Sequence, residues 1–185
     1  MNQDKTSTPM TTFISILLAI VALPLIVALF VRKKYALQRS ITINRPRAGL
    51  YDYVSQIRNQ DAYNKWVMAD PHSRKTFRGT DGTVGFVYAW DSDVKQVGQG
   101  EQEIKNLITD ERVELEVRFI KPFEGRADST ITFQSVSQDQ TNVTWGFQSG
   151  MKYPMNIMLL FINFEKLLGK DLEITLRNLK DIQEK

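Results

Sequence analysis

From Thr11 to Val31 the chain carries no charged side chain, and Arg32-Lys33-Lys34 follows at once. At ~1.5 Å rise per residue, a helix over that run covers roughly 30 Å, the hydrocarbon thickness of a bilayer. Lipid offers exposed backbone no hydrogen bonds, so a single apolar segment is stable there only as a helix. Pro24 lies mid-run, where a kink is tolerable. A cleaved leader has its basic residues ahead of a shorter apolar core and ends on a small-x-small site. Here the cations come after the run, no Ala-x-Ala separates Val31 from Tyr35, and the preceding segment sets Lys5 against Asp4. The expectation is a tail over 1–10, an uncleaved transmembrane helix over 11–31, a basic linker over 32–34 and one domain over 35–185. Lys and Arg favour the cytoplasmic side. Arg32, Lys33, Lys34 and Arg39 therefore predict a single-pass protein of the inner cell membrane with its domain facing the cytoplasm.

The formal charge of +3 on 185 residues belongs entirely to this N-terminal part. Residues 35–185 hold 20 basic and 20 acidic side chains. Nucleic-acid binding needs a basic face on the domain itself, and the sequence offers no such cluster, so no nucleic-acid partner is expected. The excess cations lie where anionic headgroups would meet them. The remaining length is normal for one domain with a full core.

The chain contains no cysteine, which removes disulfides, thiolate metal sites and a Cys nucleophile. Its one histidine, His72, stands in the turn-like Asp70-Pro71-His72-Ser73. No His-Glu-x-x-His spacing or Gly-x-Ser-x-Gly elbow accompanies it. No metal ligand set, cofactor or catalytic residue is assigned. Asp91/Asp93 and Glu101/Glu103 adjoin polar residues and read as solvated carboxylates, since catalytic pairs need settings that drive their pKa values apart. Gly98-x-Gly100 lacks the third glycine and the strand-to-helix setting of a phosphate loop, and reads as a bend in a strand.

Beyond the linker, Tyr35, Leu37, Ile41 and Ile43 alternate with polar neighbours as in a half-buried strand. Arg39 falls on the apolar phase of that alternation, as a bulge, an edge position or a cation pointing into a cavity. Pro46 opens a helical stretch with Leu50, Val54 and Ile57 at helical spacing, fading near Trp66. Thr80-Asp81-Gly82-Thr83 signals a hairpin. Phe86, Tyr88 and Trp90 then share one strand face. Gly98 to Thr109 reads as another strand. Val113, Leu115, Val117 and Phe119 oppose Glu114, Glu116 and Arg118 in the next, which Pro122 ends. Ile131 and Phe133 mark a further strand, and Val143, Trp145 and Phe147 the last, joined by a polar hairpin over 138–142. From Ile157 the period lengthens, and Phe161, Phe164, Leu168, Leu172, Leu176, Leu179 and Ile182 trace one helix face toward the C-terminus. The stretch 157–162 is apolar almost all round, yet too short for a second span.

This order resembles the SRPBCC superfamily, the START-like and polyketide cyclase-like proteins, and within it membrane-anchored bacterial members. The resemblance rests on Arg39 to Pro46, Tyr51-Asp52-Tyr53-Val54, Ile57-Arg58-Asn59-Gln60 with Trp66, Gly85 to Trp90, Gly98-Gln99-Gly100, Thr144-Trp145, and Leu168-Gly169-Lys170-Asp171-Leu172-Glu173. It implies an α+β helix-grip fold, a curved antiparallel sheet around a long C-terminal helix with an apolar cavity between them. Members bind lipids, sterols or isoprenoids, and some subfamilies are enzymes, so fold alone does not transfer activity.

On that fold the inward face should line the cavity. Phe86, Tyr88, Trp90, Val117, Phe119, Phe133 and Trp145 are the ligand-binding candidates, with Met158 and Ile162 closing the roof. A packed core would need much the same residues. Three functions follow. The first is a membrane-anchored module holding a small hydrophobic ligand, whether lipid, isoprenoid or quinone-like. The second is a cyclase- or hydratase-type enzyme, which requires polar groups such as Arg39, Tyr88 or His72 to converge. The third is an adaptor with a filled core and an unidentified protein partner.

Overall fold

The alternating stretches become a seven-stranded, curved antiparallel sheet. In chain order the strands are β1 (Lys34–Ile43), β2 (Arg74–Arg78), β3 (Val87–Asp91), β4 (Gln99–Ile108), β5 (Arg112–Lys121), β6 (Gly125–Ser137) and β7 (Gln140–Gly150). Their spatial order is β1-β7-β6-β5-β4-β3-β2, so β1 and β2 are the two edges. The computed structural model describes residues 7–185; the first six, with Asp4 and Lys5 of the expected tail, lie outside the described residues.

The helices are α1 (Ser7–Phe30), α2 (Arg47–Ser55), the single turn α3 (Gln60–Tyr63) and α4 (Phe164–Gln183), with 3₁₀ turns at Ile57–Asn59, Val67–Ala69 and Met155–Leu160. The described residues fall into two compact units. One holds Lys34–Gly150 and Phe164–Lys185; the other holds the residues up to Lys33 together with Met151–Asn163.

In the sheet unit, the period-two pattern sorts residues as a half-buried strand must. On β5, Val113 and Leu115 are buried, while Glu114, Glu116 and Arg118 face away. Cross-strand neighbours continue the inward face: Val113 opposite Ile131, Phe133 opposite Val143, Ile131 opposite Trp145. Leu172, Leu176 and Leu179 of α4 join Ile43, Leu50, Val54, Ile104, Ile131 and Val143 in one core. The far end of α4 is tied to the corner after β1. Lys180 Nζ donates to the Thr42 carbonyl (2.6 Å), the Asn44 amide donates to Glu184 Oε1 (2.6 Å), and Arg45 Nε donates to the Gln183 carbonyl.

Arg39 sits on the inward phase of β1, which is an edge strand as one of the three expectations had it, and the β1–β7 ladder carries no bulge there. Its guanidinium lies against Gly169 of α4, where a Cβ would fall 2.2 Å from Nη2. Nη2 reaches Glu165 at 2.7 Å and Nε reaches Glu173 at 2.8 Å. Positions 165, 169 and 173 are one helical face at four-residue spacing, so a glycine between two glutamates forms the seat for the cation.

Two boundaries differ from the sequence reading. The β6–β7 connection is only Gln138-Asp139, because both strands run further than their apolar residues suggest. The C-terminal helix starts at Phe164, behind Asn163, a residue type favoured at helix starts, and with Glu165 in its first turn. Ile157 and Phe161 share its spacing but not its helix. An apolar stretch without a polar face has no period to read, and docking decides its conformation.

That docking is seen within the second unit. Asn156, fully buried, donates from Nδ2 to the carbonyls of Ala28 (2.6 Å) and Val31 (3.0 Å) at the end of α1. The Met151 amide donates to the Lys33 carbonyl (2.8 Å). Over Met10–Phe30, α1 is long and apolar enough to cross a membrane, a property that a signal sequence shares. Its apolar side chains point outward nearly all round, and Ala28 is buried.

Candidate functional site

The inward face of the sheet has two unlike ends. At one end Ile43, Val113, Ile131 and Val143 are wholly buried beneath α2 and α4. At the other, Trp90, Val117 and Phe147 are half-buried and Phe119 is 36% exposed. Small residues separate these large ones: Gly100 is opposite Phe119, Ala127 opposite Val117, and Ser129 opposite Phe147. The result is an apolar face left partly open at the end where β5 turns into β6.

The sequence candidates divide accordingly. Phe86, Tyr88, Phe133 and Trp145 are buried members of the core. Trp90, Val117 and Phe119 stand at the open end. Met158 and Ile162 are half-buried in the unit that contains α1.

Gly98 and Gly100 shape this end. Gly98 takes φ of +61°, and a Cβ there would lie 2.1 Å from the Lys121 carbonyl oxygen. The bend falls at a register shift between β4 and β5, as a bulge requires. At Gly100 a Cβ would meet the Trp90 indole at 2.5 Å, so the missing side chain is the space the ring occupies. Trp90 Nε1 is held by the Val97 carbonyl at 3.3 Å.

The buried polar groups of the sheet unit are mostly paired. Tyr88 donates its hydroxyl to Asp61 Oδ1 (2.7 Å), and Lys75 Nζ lies 2.9 Å from Asp61 Oδ2. Burial, and then the Asp61 carboxylate, push the Tyr88 hydroxyl well above its ordinary range, so it stays protonated. Trp145 Nε1 donates to Ser129 Oγ (2.7 Å). Gln60 Oε1 accepts from Asn64 Nδ2 (2.8 Å) and Gln102 Nε2 (3.1 Å), all three residues being buried. Gln60 Nε2 and the Tyr63 hydroxyl are buried without a partner among the described residues. Unpaired buried polar atoms are uncommon and mark places where water or a bound molecule would complete the set. Trp66, half-buried, tilts over Phe147 with centroids 6.2 Å apart and donates Nε1 to Asp171 Oδ2 (3.1 Å).

Arg39, His72 and Tyr88 are not brought together. Arg39 is on edge strand β1 and engaged by Glu165 and Glu173. His72 is exposed in the loop before β2, at the opposite edge. Tyr88 faces Asp61 and Lys75. The acidic pairs are ion-paired on the outer face: Asp91 and Asp93 with Arg74, Glu101 with Arg78 and Arg118, Glu103 with Lys105 and Arg118. Among the described residues no cluster of three His, Cys, Asp or Glu has the arrangement of a metal site.

Sequence reasoning did not find Gln60, Gln102, Asp61 or Lys75. Gln102 carried a signal, being polar at a position where the alternation of β4 turns inward; the others carried none.

An antiparallel sheet of this order closed over by one long C-terminal helix is a known arrangement. The fold is the helix grip. No family model matches the chain, and no curated protein matches its sequence. Solved structures do match. Protein CV1439 from Chromobacterium violaceum is 13% identical, over 81% of this chain and 97% of that one, with a TM-score of 0.58. Norcoclaurine synthase from Thalictrum flavum, in complex with dopamine and hydroxybenzaldehyde, is 10% identical over 79% and 87%, with a TM-score of 0.56. Ara h 8.0201 is 9% identical over 80% and 97%, with a TM-score of 0.54. At these identities the likeness is one of fold alone.

Proposed function

We propose that this chain is a membrane-anchored binding module that holds a small hydrophobic molecule of the lipid, isoprenoid or quinone class against the inward face of its sheet. The observation that carries the reading is the unequal burial of that face. One end is packed to zero exposure, while Trp90, Val117, Phe119 and Phe147 are left partly open. Ligand sites are mostly apolar with a few placed polar groups. The open end supplies the apolar surface, and the unpartnered Gln60 Nε2 and Tyr63 hydroxyl supply polar atoms deeper in the unit. In this reading Phe86, Tyr88, Phe133 and Trp145, within the sheet unit, form the floor. The helix-grip likeness supports the same reading through norcoclaurine synthase, which accommodates small aromatic molecules.

In this reading α1 is an uncleaved anchor, its basic flank lies on the cytoplasmic side, and the sheet unit faces the cytoplasm. Anchoring suits an apolar ligand because it raises the local concentration for exchange with the bilayer. The test is native mass spectrometry of the full-length chain released from detergent, followed by solvent extraction. A discrete co-purifying hydrophobic molecule, lost in Val117→Arg without loss of folding, supports the module. A full-length chain that comes out empty and ignores a panel of lipids, quinones and isoprenoids overturns it. Intact mass settles the anchor separately, since a cleaved leader removes residues through the apolar run.

A further inference from the structure

The segment between β7 and α4 has no role in the sheet, and its composition is unusual. Across Met151–Asn163 the only charged residue is Lys152, against seven large apolar side chains from Met155 to Ile162. Leu159 is buried, while Tyr153, Met155, Leu160 and Phe161 are exposed, Phe161 to 82%. A continuous exposed apolar patch marks a partner or a membrane.

The contacts within this unit say which. Asn156 is bonded to the Ala28 and Val31 carbonyls, so the segment is fixed at the last turn of α1. Those are end-of-helix carbonyls that α1 itself leaves without partners, and in or near lipid such groups must be satisfied by protein. Ala28 lies four residues before Arg32, which is about 6 Å along a helix. The segment is thus level with the point where the apolar run gives way to Arg32-Lys33-Lys34. Helices that lie in the membrane plane bury their apolar face ~5–10 Å into the headgroup–acyl boundary, which is the same depth.

A groove completes the picture. Val27, Phe30, Val31, Arg32, Leu159 and Leu160 line an open space of about 620 Å³. It is apolar except for the one guanidinium at its basic end, the chemistry of an acyl chain below a phosphate.

We infer that Met151–Asn163 is a second membrane-contacting element, lying in the headgroup–acyl boundary beside the end of α1 and seating a phospholipid chain in the groove they share. The inference rests on α1 being a membrane anchor.

The absence of cysteine makes the test direct. Full-length chains carrying one thiol each, at Val21→Cys, Leu160→Cys, Phe161→Cys or Val136→Cys, are labelled with a small fluorophore. They are then reconstituted into vesicles of mixed zwitterionic and anionic phospholipid. All four positions are exposed, so the substitutions leave the core intact. Quenching by a nitroxide on the lipid chain reports membrane contact, and quenching by iodide reports water. The expected result is nitroxide quenching at 21, 160 and 161, with iodide quenching at 161 about threefold or more below that at 136, as boundary burial demands. Nitroxide quenching at 21 with 161 open to iodide would overturn the inference and leave the anchor standing. A label at 161 shielded from both quenchers would place a second copy of the chain there and overturn it too. No nitroxide quenching at 21 would remove the anchor, and the inference with it.

Discussion

The two compact units use apolar residues in opposite ways. In the sheet unit Ile131, Val143 and Leu172 are at zero exposure and the outer face is a lattice of ion pairs. In the α1 unit, Leu23 and Phe161 are 63% and 82% exposed, and among its described residues charge is confined to Arg32, Lys33 and Lys152. Apolar content alone does not separate them, because both are rich in Leu, Ile and Phe. Period does. A two- or 3.6-residue period implies one wet and one dry face, whereas the absence of any period implies a single surrounding medium.

The sharpest way to break this contrast is to truncate one residue from each side. Trp145→Ala, in the core, should cost about 3–5 kcal/mol of folding stability. Leu23→Ala, outward on α1, should leave unfolding of the sheet unit within about 0.5 kcal/mol of the parent. Denaturant titration of the full chain in detergent, followed by near-ultraviolet circular dichroism, reads both. Equal effects would mean that the two units unfold together.

The next effect concerns the seat of Arg39. Gly169→Leu forces the guanidinium from between Glu165 and Glu173 and should cost about 1–3 kcal/mol, the usual range for overpacking. In an Arg39→Ala background the same change should cost clearly less, since the residue in the way is gone. A double-mutant cycle that is additive would refute the coupling.

A smaller effect is expected from acid. Hydrogen bonds from Arg78 first and then Arg118 hold Glu101 below the ordinary carboxylate range, and Lys105 and Arg118 do the same for Glu103. A depressed folded-state pKa contributes stability that is present above the unfolded value, about 4.3 for Glu, and lost as pH falls through the folded one. Thermal unfolding midpoints should therefore drop below that pH. The Glu101→Gln variant should show a shallower drop, and an unchanged slope would exclude the network as its source. Least of all, Asn156→Ala should leave the midpoint of the sheet unit unmoved while speeding protease cleavage within 151–163. A lowered midpoint would tie that segment to the core.

Much of the sheet was legible because alternation is a local signal and each strand carries its own. The open end was not, because exposure depends on which strand lies beside which. Val117 and Val113 look alike in sequence, yet one is half-buried and the other wholly so. Arg39 was legible as an anomaly, but its partner was a glycine 130 positions later, flanked by glutamates four residues to either side. The start of α4 was misread because Ile157 and Phe161 fit its spacing by chance. Asn156 was the available clue, since one amide inside an apolar run must find partners when buried.

The strand order has a consequence in time. β1 is at the edge of the sheet and is bonded to β7. Lys34 pairs with Gly150 and Ile43 with Thr141, so the first strand to leave the ribosome joins the last. At ~5–20 residues per second, on the order of ten seconds of synthesis separates them. Throughout that interval the strand following α1 is finished but unpaired, and the sheet closes from its late end back onto its earliest residue.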